Sequence, residues 1–305
     1  MGGERALTER LRAFFPARRD VRVPIGDDAA VVDVAAGRVA LCCDPVVEGV
    51  HFESGTRLEL VGRKAVNRNL SDLAAMGAEA DWLLLSLVVP PNTSRPAWNA
   101  LLRGVRDAAG AAGAVVVGGD VATSAGPLVV TVSAVGRVPS RALRRDQLRV
   151  GDALHVTGAL GGSRSGHHLR FRPALAEGRW LASQGAVRAA IDVSDGLLLD
   201  LDTMLRASGG LGAELDAAAV PVRGAARRAA HGDAGAALQR ALCDGEDHCL
   251  LFGVRRGHEL AAGGPLTARA RRPIGRVTRE PGITLVRGGS RESLSVTGYQ
   301  HEVEG

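Results

Sequence analysis

Short apolar runs in this chain repeatedly end in aspartate, and that placement constrains its fold and chemistry more than any other feature. Asp44 closes Val39-Ala-Leu-Cys-Cys, Asp120 follows Val115-Val-Val-Gly-Gly, and Asp192 and Asp195 bracket the end of a further run and open a helical stretch. Asp27 and Asp28 come directly after Ile25-Gly26, and Asp72 lies within the helical Asn69-Leu-Ser-Asp. Any one strand-end Asp reads as a cap or turn residue. The repeated pattern reads as a site, because carboxylates gathered from several element ends repel one another unless cations lie between them. Hard oxygen ligands select Mg²⁺, Ca²⁺ or Mn²⁺, and Mg²⁺ is typically held by one or two carboxylates together with substrate phosphates. The flanking Gly26, Gly118, Gly119 and Gly196 permit close approach of backbone to phosphate. The chemistry reached from residues alone is metal-assisted phosphoryl transfer or phosphate hydrolysis.

The runs alternate with helical stretches, which predicts a mixed α/β fold. Strands are expected at Val39–Cys43, Trp82–Val89, Ala114–Val117, Leu128–Val138 and Ala153–Thr157, then at Ala189–Val193, Cys249–Val254 and Ile274–Val277. Val66, Leu70 and Leu73 mark a helix over Arg63–Met76. A second helix starts near Ser94 with Pro96 in its first turn and runs toward Ala112. A third takes Ser194 or Asp195 as N-cap and stops at Gly209-Gly210. Gly282, Gly288 and Gly289 read as turns in a terminal strand region. A boundary is expected in the Arg-rich connection before Gly151-Asp152, giving domains 1–150 and 151–305.

A formal charge of +5 and a pI of about 9.6 invite a nucleic-acid reading. The distribution argues against it: Lys64 is the single lysine, and the arginines are scattered. Arg223–Arg228 reads as a solvated face, whereas Arg141–Arg149 reads equally as a solvated face or a phosphate holder. The four cysteines form no disulfide framework, Cys243 and Cys249 lack zinc-ligand spacing, and a reducing cytoplasm is expected. Met1–Phe15 has no continuous apolar region of the kind a signal peptide needs. No apolar run approaches the ~20 residues of a membrane span, so neither membrane nor nucleic acid is expected as a partner.

Common nucleotide motifs are missing. A P-loop needs Gly-Lys-Ser/Thr, and Lys64 is followed by Ala65. The protein-kinase loops are absent. Gly158-Ala-Leu-Gly-Gly-Ser-Arg-Ser-Gly166 lacks dinucleotide spacing and reads as a turn opening a helix, with phosphate contact the minor alternative.

Gly26-Asp-Asp-Ala-Ala30, Asp44-Pro-Val-Val-Glu-Gly-Val-His-Phe52 and Asn69-Leu-Ser-Asp-Leu-Ala-Ala-Met-Gly77 resemble the thiamine-monophosphate kinase family, as do Gly118-Gly-Asp120, Ile191-Asp-Val-Ser-Asp-Gly196 and Gly245-Glu-Asp247. That family is related to aminoimidazole ribonucleotide synthetase. The resemblance spans nearly the whole chain and is carried most specifically by the second and third motifs. Sister families fit less well: the synthetase wants a lysine soon after the strand-end Asp, selenophosphate synthetase a reactive Cys near the N-terminus, and the hydrogenase-maturation relative a terminal Cys.

The resemblance implies two α/β domains of the synthetase-like type, the N-terminal one forming a β-barrel across a homodimer. It implies ATP as co-substrate, several Mg²⁺ ions, and thiamine monophosphate as phosphoryl acceptor. It assigns Asp27, Asp44, Asp72, Asp120, Asp192 and Asp195 to magnesium, with Asp28 ligating or orienting its neighbour. Gly119, Asp120, Arg145 and Ser194 correspond to ATP contacts, and His51 and Glu246 to substrate contacts. Cys43 stands at a metal-site position usually held by Thr or Ser, and serves there through its backbone carbonyl if at all, since a thiol suits Mg²⁺ poorly. Asp146-Gln147-Leu148 replaces Ser-Gly-Ala, His248 replaces a common Tyr, and Glu302 stands where an aromatic is usual. Either Tyr299 compensates for Glu302, or Glu302 itself faces the thiazolium charge.

Overall fold

The computed structural model describes residues 21–23, 27, 30–34 and 37–299. The first half forms a six-stranded sheet from β1 (Val21–Val23), β2 (Ala30–Val34), β3 (Gly37–Val47), β4 (Glu79–Val89), β5 (Val115–Thr123) and β6 (Val129–Arg137). Its spatial order is β1-β2-β3-β6-β4-β5, and only the β4–β5 pair is parallel. In β4 the two-residue period of a strand sends Leu83, Leu85, Leu87 and Val89 into the core while Trp82 and Leu84 face outward. Every residue of the edge strand β5 is exposed.

Two helices pack on this sheet: α1 (Leu58–Ala75) and α2 (Arg95–Ala111). The expected start of α2 is found: Ser94 is the N-cap, its Oγ accepts from Ala97 N at 3.4 Å, and Pro96 lies in the first turn, where no hydrogen-bond donor is needed. The helices meet backbone to backbone. A Cβ on Gly104 of α2 would lie 2.0 Å from the carbonyl oxygen of Glu59 in α1, so only glycine fits there.

The second half builds a seven-stranded sheet from β7 (Ala153–Val156), β8 (Val187–Asp192), β9 (Gly212–Asp216), β10 (Leu250–Val254), β11 (Gly275–Thr278), β12 (Gly282–Arg287) and β13 (Ser290–Leu294). The order is β13-β12-β9-β11-β7-β10-β8. The accompanying helices are α3 (Leu175–Ser183), α4 (Leu197–Ala207), α5 (Gly224–Ala229) and α6 (Ala234–Cys243). One apolar core lies under each sheet. A third joins them, packing Ala74 and Ala75 of α1 against Leu181 of α3, Val187 of β8 and Phe252 of β10.

Two sequence expectations are corrected. First, α4 has Gly196 rather than Ser194 or Asp195 as its N-cap. The side chain of Asp200 reaches back instead, accepting from the amides of Asp195 (3.1 Å) and Gly196 (3.2 Å), which leaves the preceding side chains available for other contacts. The helix does end before Gly209-Gly210, whose amides bond to carbonyls of its last turn. Second, Arg223 belongs to no solvated face, since it donates to Asp247 at 3.0 Å; Arg227 and Arg228 are exposed. Among the described residues the first sheet is open, with β1 and β5 at its edges, and no barrel closes within the one chain. Among the described residues no helix is long and apolar enough to cross a membrane.

The α1–α2 crossing generates a paired prediction. Gly104→Ala should destabilise the protein by about 2 kcal/mol or more in urea unfolding, since the added methyl meets backbone. Gly110→Ala, on the same helix with open space around it, should instead stabilise by about 0.5–1 kcal/mol.

Candidate active site

The turn from β8 into α4 carries Asp192, Ser194 and Asp195, and the segment between α6 and β10 carries Glu246 and His248. Glu246 and His248 sit at φ +56° and +48°, a left-handed backbone that non-glycine residues seldom adopt. These two segments are stitched together: Glu246 N donates to Ser194 O at 2.7 Å and His248 N to Val193 O at 2.8 Å. One pocket is lined by Ser194, Asp195 and Glu246 together with His51 and Tyr299, and also by Arg68. All three residues expected at the substrate are therefore brought together, on the same opening as two expected at ATP or metal.

His51 is buried, and its Nδ1 accepts from Val47 N at 3.1 Å, so in the neutral ring the proton lies on Nε2. Tyr299 is partly exposed and is tied to the site by its amide, which donates to Asp195 O at 2.9 Å. Asp28 and Glu302 lie outside the described residues.

Behind the pocket runs a buried chain of alternating charge. Lys64 of α1, fully buried, donates through Nζ to His51 O at 2.7 Å and approaches Glu246 at 2.8 Å. The other side of Glu246 receives His248 Nε2 at 3.2 Å, and His248 Nδ1 faces Asp192 Oδ2 at 3.4 Å. Ser71 Oγ completes the chain by donating to Asp192 at 2.7 Å. Phe171 stacks on the His248 ring with centroids 4.2 Å apart.

Charge fits this arrangement. Burial opposes protonation of His248, but Asp192 and Glu246 raise its pKa. Burial would raise Glu246, but His248, Lys64 and Arg68 hold its carboxyl well below the usual range. Asp192 is lowered in the same way by His248 and Ser71 against its burial. Burial brings Lys64 down to about 8, with Glu246 acting against the fall. Glu246 thus lies between the Lys64 ammonium and the His248 ring.

The remaining aspartates fall into distinct settings. Asp44 of β3 has its amide held by Asn69 Oδ1 at 3.0 Å and its carboxylate 3.5 Å from Arg68 Nε. Asp72 of α1 lies close enough, with Asp44, to raise the thiol of Cys42 beyond what burial does. The carboxylates of Asp44, Glu246, Asp72 and Asp192 together overcome burial and raise Arg68. Asp27 is paired with Arg145, whose Nε donates to Oδ1 at 3.1 Å. Asp120 and Gly119 lie on exposed β5. A Cβ at Gly119 would fall 1.8 Å from Leu85 O, so the backbone there needs glycine. Cys43 alternates to the opposite face of β3 from Asp44, where its exposed Sγ accepts from Ser133 at 3.1 Å; its thiol is turned from the site.

The structure bears on two open questions from the sequence. In the glycine-rich loop two amides are held by carboxylates: Gly161 N donates to Asp247 at 2.9 Å and Gly162 N to Asp244 at 2.8 Å, which favours the turn reading. Arg144 and Arg145 of the Arg141–Arg149 stretch pair with Asp146 and Asp27, and Arg141 donates to the backbone of Gln184. Sequence reasoning missed the roles of Lys64, Arg68 and Asp247. The available signals were a lone lysine inside a helix otherwise patterned for burial, and an arginine four residues later on the same face.

Lys64→Met should leave Glu246 short of a partner and destabilise the fold by about 3 kcal/mol. Pairing it with Glu246→Gln should recover part of that loss in the same denaturant titration.

Residues 26–138 match the family described as AIR synthase related protein, N-terminal domain. The thiamine-monophosphate kinase of Rhodopirellula baltica is 40% identical over 260 residues, covering 82% of each chain. That of Mycobacterium tuberculosis is 36% identical and covers 98% of this chain and 91% of its own. The solved structure of AaThiL complexed with AMPPCP and TMP superposes with a TM-score of 0.85 at 26% identity, covering 98% of this chain and 97% of that one. With relatives this similar over nearly its full length, the chain belongs to the thiamine-monophosphate kinase family.

Proposed function

We propose that this protein transfers the γ-phosphoryl group of ATP to thiamine monophosphate, giving thiamine diphosphate and ADP. The observation that carries the reading is the single pocket shared by Ser194, Asp195, His51, Glu246 and Tyr299, in a chain whose relatives bear that activity's name. An oxygen of the acceptor phosphate forms the new bond to the γ-phosphorus. The bond from that phosphorus to the β–γ bridging oxygen breaks, and its electron pair leaves on ADP. The attacking phosphate is largely ionised near neutral pH, its second pKa being about 6, so no general base is needed. Positioning and charge compensation dominate instead.

The donor set fits magnesium in kind. Asp44, Asp72 and Asp192 are hard carboxylates that converge electrostatically on Arg68, and Asp195 lies on the same turn as Asp192. Among the described residues no group of three acidic, His or Cys side chains is arranged to hold an ion. The fit is to ions taking one or two carboxylates each and completing their shells with phosphate oxygens. Asp44, Asp72, Asp192 and Asp195 would hold them, with Asp27, Asp28, Asp120 and the Cys43 carbonyl as further donors. Bound magnesium would neutralise charge on the phosphate oxygens as it develops. Arg145, Gly119 and Ser194 are assigned to the nucleotide, with Arg145 kept in place by Asp27 until phosphate arrives. We assign residues 1–150 to an ATP-binding and dimerising domain and 151–305 to the domain that completes the site. We assign the reaction to a reducing cytoplasm, a reading that the free thiols support.

A homodimer closing β5 against its copy into a barrel is part of the same reading. Exposed Val115, Val117 and Val121 on β5, beside Trp82 and Leu84, form an apolar edge that soluble proteins keep covered.

Incubating the protein with ATP, Mg²⁺ and thiamine monophosphate should yield thiamine diphosphate, resolved by chromatography and abolished by EDTA. Nucleotide binding without product would sink the assignment. Asp44→Asn should raise the Mg²⁺ concentration for half-maximal rate about tenfold; an unchanged titration would remove Asp44 from the ligands. Light scattering should give twice the 31.6 kDa chain mass, and Val121→Arg should shift it toward the monomer.

A further inference from the structure

Arg68 stands one turn beyond Lys64 on α1 and borders the substrate pocket. Its side chain is 16% exposed. Nε is enclosed and makes no hydrogen bond among the described residues; the nearest acceptor, Asp44 Oδ2, lies 3.5 Å away. A buried guanidinium donor without an acceptor costs roughly 1–3 kcal/mol or more. Such a donor is worth retaining where a ligand supplies the acceptor.

The pocket needs a cation for its ligand. Asp195, Asp244 and Glu246 line it, so an entering phosphate meets carboxylates. The other cations nearby are committed. Lys64 is bound to His51 O and Glu246, His248 has both ring nitrogens against carboxylates, and Arg145, assigned above to the nucleotide, is not among the residues lining this pocket. Arg164 is exposed at the rim, with Nη2 directed to Val50 O at 3.3 Å. Arg68 lines the pocket and faces both Asp44 and Glu246. A phosphate bound there would lie between the carboxylates assigned to magnesium and the Glu246 side of the pocket. A guanidinium also has the planar fork that matches two phosphate oxygens.

We propose that Arg68 binds the phosphate group of the acceptor, moving from its loose contact with Asp44 onto the phosphate oxygens. This rests on the kinase reading above and adds to it the residue that distinguishes a phosphorylated acceptor from its free alcohol.

The test is calorimetric titration of thiamine monophosphate into protein saturated with AMPPCP and Mg²⁺, for wild type, Arg68→Gln and Arg68→Lys. Loss of a charge-assisted contact should weaken thiamine monophosphate binding about 10- to 100-fold in Arg68→Gln. Arg68→Lys should fall between it and wild type, because a point charge remains but the fork is lost. AMPPCP affinity should stay within about twofold in both variants, and in turnover the KM for thiamine monophosphate should rise without that for ATP. Equal binding of thiamine monophosphate by Arg68→Gln and wild type would overturn the proposal. So would a parallel loss of AMPPCP affinity, which would mark Arg68 as a support for Asp44. If Arg68→Gln does not fold, Arg68→Lys decides alone, and wild-type affinity in it overturns the assignment. Wild-type protein that neither binds nor phosphorylates thiamine monophosphate would bring down the kinase reading itself, an outcome distinct from a silent Arg68 substitution in an active enzyme.

Discussion

Lys64, Glu246, His248 and Asp192 are buried or nearly so, and none of them could stay charged alone. Each ion removed from water costs several kcal/mol, recovered only where opposite charges alternate with good geometry. Here they alternate over four groups, and Ser71 returns the chain to the helix on which Lys64 began. Because Lys64 and Ser71 belong to the first half and the other three to the second, the network fixes one half against the other. It also sets the strained backbone of Glu246 and His248, whose left-handed φ values persist only if their side chains are held.

That constraint shapes what the pocket can offer a ligand. Glu246 reaches the pocket wall with its charge already balanced from behind, so its part is to shape and hydrogen-bond rather than to attract a cation. His248 is bracketed by carboxylates and stacked on Phe171, and so serves the frame. An aromatic phenol at that position has one polar atom and could not bridge Asp192 and Glu246 as the two ring nitrogens of His248 do. The departure from the family pattern at His248 is therefore a substitution in the scaffold's hydrogen bonding, with Lys64 and Ser71 as its neighbours.

Much of the fold was legible because the relevant signals were local. Runs such as Trp82–Val89 and Leu128–Val138 are β-branched or leucine-rich over most of a strand's length, and Ser94 with Pro96 marks a helix start by its own chemistry. The strand β9 was not legible: Gly-Ala-Glu-Leu-Asp has little strand preference and is a strand only because it lies between β11 and β12. The helix α3 was hidden by Gly178, which is there because a Cβ would come 2.0 Å from Ala74 O. For the site, the pattern of aspartates could be read as metal and phosphate chemistry. The groups that neutralise them could not, since Lys64 meets Glu246 across 182 residues and His248 meets Asp192 across 56. No spacing rule reaches that far.

The helix α1 explains why the periodic signal within it was partial. It is enclosed by α2, α3, β3, β6 and β8, so it has no face reserved for solvent, and its polar residues are inside. Each is matched: Lys64 with Glu246, Asn67 with Phe171 O at 2.7 Å, Asn69 with the amide of Asp44, and Ser71 with Asp192. Arg68 and Asp72 stand among them facing the carboxylates of the site. A helix buried all round would be most stable as an apolar rod. This one carries six polar side chains between Lys64 and Asp72, and their partners lie on β3, β8, the segment before α3 and the segment before β10. The sequence of α1 is thus written for the site more than for the core, which is why its motif identifies the family while its hydrophobic pattern only outlines a helix.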